Sequence, residues 1–517
     1  FLVCADFSGV VSLESNPKMA KQTVHFPCYC GRRLLSGMPY FAALLFLLSV
    51  ADVSAAQKFP LPLDAYPQCD GLWATLAERV RQCPANLWAT LIFACAVMHT
   101  FCYSVFLRLA DSVHKQKMFK MRESSRDIAK RIFSLLGEVE IVFALWLIPL
   151  FGVIYWKYGR AAVAHYVDNL AYADDKYSEP VFVMVVMCIA ATRPIIYVAS
   201  RFISLFANLF GGGVRAWWIS ILAVGPLLGS FITEPAAITI CAILLSRHFF
   251  SRLPSLKFKY ATLGLLFVSV SVGGALTHFA APPIIMVARP WSWDSGFMFT
   301  HFGWKSVAAS LASVALYAVW FAKDFKKLEA KHVFDNSERQ KDPPNWVVGM
   351  HLLFLAVAVA IMHYLVFELF LLLAFIAFTD ITQRFQSPMC YRSPMLVAIF
   401  LGALVTHGSL QAWWLEPVLQ SLNSGALFVA GVALTSFNDN AAITYLASLV
   451  PDFGEDMKYC IVAAAICGGG LTVIANAPNL VALSVLKEHF RTGVSPKLLF
   501  IWALPPTLIA CAIFFFI

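Results

Sequence analysis

The sequence predicts an all-α polytopic membrane protein with inverted-topology repeats, two re-entrant hairpins and two discontinuous helices. Three observations predict it: the composition, a pair of acidic phrases inside apolar runs, and a second pair of phrases rich in Gly and Pro. Of the 517 residues, 60% are hydrophobic and 13% charged, and the mean hydropathy is +0.71. This composition is typical of a polytopic membrane protein and excludes an ordinary soluble domain. The net charge of +9 indicates basic loops between apolar segments rather than a nucleic-acid surface.

The first pair of phrases places one carboxylate in each half of the chain. Ser436–Thr444 reads SFNDNAAIT within the apolar run Ala426–Val450, and Ser230–Thr239 reads SFITEPAAIT. A charge at membrane depth costs at least about 2.5–3.5 kcal/mol, so each phrase is a candidate functional site. Aligning the shared AAIT sets Glu234 opposite Asp439, Thr233 opposite Asn438 and Pro235 opposite Asn440.

The second pair of phrases follows the first in the same order. Gly273–Pro283 reads GGALTHFAAPP and Gly468–Pro478 reads GGGLTVIANAP. Hydrophobic segments interrupted by Gly and Pro at matching positions of two halves are typical of secondary transporters built from repeats. We therefore expect a discontinuous helix after each hairpin.

Loop composition predicts the organisation of the chain. Arg32 and Arg33, an apolar stretch and Ser54-Ala55-Ala56 predict a signal peptide cleaved near Ala55 or Ala56, the alternative being an uncleaved first helix. Cys69 and Cys83 then lie outside, either as a disulfide or as two free thiols. We expect an upstream extension and signal peptide (1–56), an external segment, first transmembrane helix and basic cytoplasmic loop (57–131), repeat 1 with hairpin 215–248 (132–322), a cytoplasmic linker and connecting helix (323–363), and repeat 2 with hairpin 424–450 (364–517).

The orientation follows from lysine and arginine in short loops. Both flanks of hairpin 215–248 are basic and therefore cytoplasmic, whereas the loop Asp168–Glu179 and the flank after Val450 are acidic and external. Trp346–Phe378 is too long for one untilted span, and a turn at His363 and Tyr364 would divide it in two. The two hairpins would then point at each other from opposite faces. The remaining predicted spans are Leu87–Leu107, Ile132–Trp156, Val181–Ser200, Tyr260–Val287, Phe302–Phe321, Met395–Leu410, Tyr459–Leu486 and Leu498–Ile517.

The residues of the acidic phrases suit a small cation. A carboxylate surrounded by carbonyl and amide oxygens is a hard, oxygen-rich site. Asp439 and Glu234 are the candidate Na⁺ ligands, with Asn438, Asn440 and Thr233 beside them. Alternatively, Asp439 caps the next half-helix, and Glu234 followed by Pro235 marks a helix start.

Further polar residues lie in or near these segments. Thr277, Thr472, Asn476 and Asn479 interrupt their spans and can line the site. His278 either relays a proton or is a hydrogen-bonded structural residue. Glu138 and Glu140 are candidate proton carriers or solvated interfacial acids, and Arg193 either neutralises one of them or reaches the surface.

Other classes of protein find no support in the sequence. It has no Walker loop, no metal-ligand cluster and no nucleophile arrangement, so we expect neither an enzyme nor a cofactor. The expected partners are the lipid bilayer, a monovalent cation and a proton, and not a nucleic acid.

Several phrases resemble those of a sodium/proton antiporter family within the ion transporter superfamily. The resemblance rests on Thr233–Ala237, Asn438–Ala442, Gly468–Thr472 and Ala475–Asn479, and less specifically on Leu135–Glu140, Thr192–Pro194 and Gln411–Trp414. It implies Na⁺/H⁺ exchange across the cell inner membrane, paired hairpins, broken helices, elevator-type motion and a homodimer. Dicarboxylate carriers of the superfamily have Ser-Asn-Thr at the hairpin tips, where this chain has Thr-Glu-Pro and Asn-Asp-Asn. The added negative charge favours a cation over an anion.

We therefore expect a secondary active transporter that exchanges Na⁺ or another monovalent cation for H⁺. The alternative is an organic anion (dicarboxylate) transporter coupled to Na⁺ or H⁺. A channel is disfavoured because it needs no inverted repeat with broken helices.

Overall fold

A computed structural model describes residues 59–67, 69–114, 123–329, 342–389, 391–490 and 493–517. The predicted signal peptide lies outside the described residues. Every regular element among the described residues is helical, which confirms the all-α class. The N-terminal part contains α1 (Leu72–Gln82), α2 (Ala85–Phe101), α3 (Tyr103–His114) and α4 (Glu123–Leu136).

The middle and last parts of the chain contain the two acidic phrases. The middle part comprises α5 (Val139–Asp168), α6 (Ser178–Ala190), α7 (Arg193–Leu209), α8 (Val214–Ile232), α9 (Glu234–His248), α10 (Leu256–Gly273), α11 (Pro282–Ala288), α12 (Ser295–Met298), α13 (Trp304–Trp320) and α14 (Ala322–Glu329). The last part comprises α15 (Asn345–Ala360), α16 (Leu365–Ile381), α17 (Arg392–Gly408), α18 (Ala412–Gln420), α19 (Ser424–Thr435), α20 (Asn440–Ala447), α21 (Glu455–Gly468), α22 (Pro478–Leu486) and α23 (Pro496–Phe516).

The helices fit a multi-pass membrane protein. Within the described ranges, five helices are long and apolar enough to cross a membrane, or up to eight if each of three bent pairs counts as one span. The bent pairs are α1 with α2 (106°), α6 with α7 (71°) and α17 with α18 (78°).

Three spans that the sequence predicts as continuous are interrupted, besides 260–287 and 459–486, for which it predicts a break. The expected helix 181–200 is divided at Ala191 and Thr192, because Thr192 is extended and Pro194 opens α7. The expected helix 87–107 breaks at Cys102. The expected helix 132–156 breaks at Gly137 and Glu138, so the long apolar helix begins only at α5. In contrast, Trp346–Phe378 is two helices, as predicted, joined by residues 361–364.

The two acidic segments differ in how their arms pack. In hairpin 1 (α8, Thr233 and α9), the arms lie against each other, as expected for 215–248. In broken segment 2 (α19, residues 436–439 and α20), α19 packs mainly against α21, whereas α20 packs mainly against α11. The predicted hairpin 424–450 is therefore open. Tyr445 on α20 instead contacts the C-terminal end of α17, through hydrogen bonds to Ser409 and to the Val405 carbonyl.

Cys69 and Cys83 are both free thiols, so of the two alternatives the free pair is correct and the disulfide is wrong. The Cys83 Sγ lies 3.5 Å from the Tyr158 hydroxyl on α5. The polar contact of Cys83 is therefore with the membrane helix rather than with Cys69.

One ion pair ties α1 to the rest of the molecule. Arg79 donates to the Glu416 carboxylate at 2.6 Å and to the Trp413 carbonyl at 2.7 Å, both on α18. The two charged side chains are only 11% and 18% exposed. Removing one partner leaves the other poorly solvated, which costs about 1–3 kcal/mol.

Arg79→Ala is therefore expected to release α1 and to raise its protease susceptibility severalfold, as measured by limited proteolysis. Arg81→Ala is the matched control, because Arg81 is 79% exposed and its ion pair is with Glu78 of the same helix. Equal cleavage of both variants would show that Arg79 does not anchor α1.

Candidate functional site

Hairpin 1 turns at a single strained residue. Thr233 has φ 76° and ψ 151°, a conformation that a β-branched residue rarely adopts and that costs about 1–3 kcal/mol. Pro235 follows at the start of α9, as the sequence predicted for a helix start. The Glu234 carboxylate does not cap this helix and is fully buried.

The turn of broken segment 2 is organised around Asp439. Its Oδ1 accepts a hydrogen bond from the Ala441 amide at 2.9 Å, so Asp439 caps α20. The Asn438 side chain in turn accepts from the Asp439 amide at 3.0 Å. One of the two carboxylate oxygens of Asp439 therefore acts as the helix cap that the sequence offered as an alternative.

The other oxygen of Asp439 reaches the break between α21 and α22. Asp439 Oδ2 accepts from the Ala477 amide at 3.2 Å. The residue before it, Asn476, donates from Nδ2 to Glu234 Oε2 at 2.9 Å. The backbone N–H of Asn440 also donates a hydrogen bond to the Ala475 carbonyl at 3.0 Å. Consecutive residues of one break therefore contact both acidic turns.

Two glycines permit this convergence. A Cβ at Gly274 would lie 2.7 Å from Glu234 Oε1 and 2.8 Å from its Cγ. A Cβ at Gly469 would overlap Ser271 Oγ and lie 2.9 Å from Asn440 Nδ2. The Glu234 carboxylate and the Asn440 side-chain amide occupy the space that a side chain would fill at Gly274 and Gly469.

Many buried oxygens of this cluster lack a hydrogen-bond partner among the described residues. A buried polar atom without a partner costs free energy unless a ligand or water satisfies it. These oxygens are Glu234 Oε1, Asn440 Oδ1, Asn476 Oδ1, Asn479 Oδ1, Thr233 Oγ1 and Thr435 Oγ1. These one carboxylate, three amide and two hydroxyl oxygens have the donor chemistry of an alkali or alkaline-earth cation site, and the Nδ2 of Asn440 is unpartnered beside them.

The two threonines of the second phrases make the same contact in each half. Thr277 donates to the Ser230 carbonyl at 2.5 Å, and Thr472 donates to the Ser436 carbonyl at 2.7 Å. Each hydroxyl thus ties a helix break to the acidic segment of its own half. Their hydroxyl hydrogens are committed to these contacts.

Asn479 holds the second break in shape. Its Nδ2 donates to the Gly469 carbonyl at 2.9 Å and to the Thr472 carbonyl at 3.0 Å. Its Oδ1 is one of the unpartnered oxygens. Thr472, Asn476 and Asn479 therefore all belong to the break between α21 and α22, which contacts the two acidic turns.

Glu138 and Glu140 occupy different surroundings. Glu138 forms an ion pair with Arg392, whose side chain is 68% exposed. Glu140 lines a cavity of about 20 Å³ together with Asn438 and Asp439. A cavity of this volume holds about one water molecule.

His278 and Arg193 are the two remaining polar candidates. His278 Nδ1 lies 2.8 Å from the Ser295 hydroxyl, so this histidine has a structural hydrogen bond. Arg193 is the first residue of α7 and is partly buried. The side-chain hydrogen bonds described for Glu234 and Asp439 involve Asn476, Ala441 and Ala477.

Sequence reasoning missed two buried carboxylates. Glu368 on α16 is fully buried, and both its oxygens are without partners in the described ranges. Glu179, at the start of α6, is 7% exposed and its Oε2 is likewise unpartnered there. A lone acid within a span is a functional-site hypothesis, and that signal was present for Glu368. The acidic pattern predicts that Glu179 belongs to an external loop, whereas the residue is buried.

Comparisons with known proteins cover solved structures, curated sequences and family models. A solved structure of the YdaH transporter from Alcanivorax borkumensis is 14% identical and covers 73% of this chain and 96% of that chain, with a TM-score of 0.41. No curated protein sequence matches the chain. The model of the family described as "Putative Na+/H+ antiporter" matches residues 84–517. The chain therefore belongs to this Na⁺/H⁺ antiporter family.

Proposed function

We propose that the protein is a secondary antiporter that exchanges Na⁺, or another monovalent cation, for H⁺. One observation carries the proposal: Asn476 and Ala477, adjacent in one helix break, contact the carboxylates of Glu234 and Asp439. Two acids from opposite halves of the chain thus share one partner segment. Exchange requires that a cation and a proton compete for the same negative charge, and these carboxylates supply it.

The unpartnered oxygens favour a cation as the ligand. A Na⁺ ion at this position would take Glu234 Oε1 and amide oxygens of Asn440, Asn476 or Asn479, all of which are buried. Such oxygen ligands suit a hard cation. An anion would meet two carboxylates and would have to overcome their repulsion.

Glu140 is the proposed proton relay. It shares a cavity with Asp439 that has room for about one water molecule. A proton could pass from Glu140 through that water to Asp439 while the cation leaves. Glu138 is paired with Arg392, so we assign it no part in the proton transfer.

We further propose that the two halves form an inverted repeat. The matched hydrogen bonds of Thr277 to Ser230 and of Thr472 to Ser436 support it. The packing is also reciprocal, because α9 lies against α22 and α20 lies against α11. The placement in the inner membrane and the homodimer stay predictions.

The test is a pH-gradient assay in proteoliposomes that contain the purified protein. Na⁺, Li⁺ or K⁺ added to acid-loaded vesicles is expected to dissipate the gradient, with Na⁺ or Li⁺ most effective. Uptake of a labelled dicarboxylate into the same vesicles distinguishes the organic anion transporter from the cation/proton antiporter. Dicarboxylate uptake without any response to cations alone would overturn the antiport proposal.

A further inference from the structure

A histidine of α2 contacts the break between α4 and α5. Leu136 is the last residue of α4, and Glu138 beyond it is extended, with φ −88° and ψ 107°. The carbonyls in the last turn of a helix have no intrahelical donor and need a partner from elsewhere. His99 Nε2 lies 3.0 Å from the Leu136 carbonyl. A side chain of α2 therefore contacts the end of α4.

The other nitrogen of the same ring contacts α5. Trp146 Nε1 donates to His99 Nδ1 at 3.1 Å. An indole N–H can only donate, so Nδ1 is the acceptor and Nε2 carries the ring hydrogen that is donated to Leu136. Phe106 of α3 packs on the imidazole, with the ring centroids 4.8 Å apart. Both nitrogens of the neutral His99 ring thus join the two sides of the break.

The break that His99 joins sets the position of Glu140. Glu140 lies in the first turn of α5, just beyond the extended Glu138. It lines the cavity that Asp439 also lines. Leu136 and Trp146 lie on either side of Glu140 in the chain, so a rotation at the break between them would change the direction of the Glu140 side chain.

The same helix forms part of the cavity wall. Thr100, the neighbour of His99, is buried and lines the cavity with Glu140 and Asp439. Its hydroxyl donates to the Val97 carbonyl within α2 at 2.6 Å. The cavity volume of about 20 Å³ holds about one water molecule, so it leaves little freedom for the relay acid. Consecutive residues of α2 therefore bound the cavity and hold the break beside it.

We propose that His99 is the positioning residue of the proton relay. By joining the two sides of the α4–α5 break, it directs Glu140 toward Asp439. A misplacement of about 1 Å can slow a transfer step on the order of 100-fold, so the alignment of the relay acid matters for the rate. The proposal rests on the proposed function, since it concerns how an acid of that same site is aligned.

The first test is a double-mutant cycle in proteoliposomes. His99→Ala is expected to lower the maximal exchange rate at least tenfold, whereas the half-saturating Na⁺ concentration stays within twofold because the oxygens proposed to bind the cation are unchanged. In a Glu140→Gln background, which lacks the relay acid, His99→Ala is expected to lower the residual rate less than twofold. An equal loss in both backgrounds would show that His99 supports only the fold, and would overturn the proposal.

His301→Ala is the matched control, because His301 is exposed and its hydrogen bonds are with Phe297 and Thr300 of its own turn. Its exchange rate is expected to stay within twofold of the wild-type rate. If His99→Ala does not fold, Trp146→Phe keeps an aromatic ring and removes the donor to His99 Nδ1. This variant is expected to lower the maximal rate severalfold, and a wild-type rate would equally contradict the proposal.

The second test does not depend on cation transport. The backbone amides of Gly137 and Glu138 donate to carbonyls of α4. His99→Ala is expected to speed deuterium uptake severalfold in the peptide that contains these amides, as read by mass spectrometry, and His301→Ala is expected to leave it unchanged. Faster uptake in a protein without cation/proton exchange would keep the contact across the break and reject the proposed function. Unchanged uptake in a protein that does exchange would reject the positioning role alone.

Discussion

Asp439→Asn is expected to slow cation-driven proton exchange at least 100-fold without unfolding the protein. The substitution removes the negative charge for which, in the proposed mechanism, cation and proton compete. An asparagine still offers one oxygen, so the cap on α20 that Asp439 Oδ1 provides can persist. The amide cannot replace the second acceptor toward Ala477 if the cap is kept, which costs about 1–3 kcal/mol. The measurement is the initial rate of dequenching in the pH-gradient assay.

Asp456→Asn is the matched control for this prediction. Asp456 is an exposed acid in the first turn of α21, on the flank beyond the second acidic segment. The exchange rate of Asp456→Asn is expected to stay within twofold of the wild-type rate. Both variants should elute as the wild type does in size-exclusion chromatography. A fully active Asp439→Asn protein would mean that the residue serves only as a helix cap.

The capping and ion-binding interpretations of Asp439 are not exclusive. Its two carboxylate oxygens have different partners, since one caps α20 and the other contacts the α21–α22 break. A sequence pattern assigns one role to a residue, whereas a carboxylate has two acceptors. Capping fixes the carboxylate in place, and a fixed carboxylate is a better ligand than a mobile one.

The sequence predicted best what depends on local chemistry. The helix ends at Thr233 and Asp439 follow from a charged residue within an apolar run, and the division of 346–378 follows from its length. The breaks near Thr277 and Thr472 follow from Gly and Pro, whose backbone requirements act within a few residues.

The sequence did not predict what depends on distant packing. The bond from Asn476 to Glu234 joins residues 242 positions apart, and no local pattern specifies it. The hydrogen bond between Tyr445 and Ser409, which accompanies the open broken segment 2, likewise joins residues of different helical regions. The burial of Glu179 depends on how α6 packs, so a loop-charge argument placed it in solvent.

The second large effect is expected from Gly470→Ala, which should prevent correct folding. A Cβ at Gly470 would overlap the Val268 Cα and lie 2.5 Å from its nitrogen and 2.6 Å from its Cγ2. Val268 belongs to α10, and a backbone cannot rotate away as a long side chain can. Overpacking of buried positions costs about 1–3 kcal/mol or more, and here two helices would have to separate. We expect a large loss of monodisperse protein in fluorescence-detected size-exclusion chromatography.

Gly152→Ala is the control, since a Cβ at Gly152 on α5 meets no atom within 4 Å. Alanine is favoured over glycine within a helix by about 1 kcal/mol, so this variant should be at least as stable as the wild type. A monodisperse Gly470→Ala protein with wild-type thermal stability would show that α10 and the second break are further apart than described. The neighbouring Gly469 faces Ser271 and Asn440, so the same close approach that makes Gly470 irreplaceable also brings the polar groups of the two halves together. Loss of packing at Gly470 and loss of the proposed cation site are therefore expected to occur together.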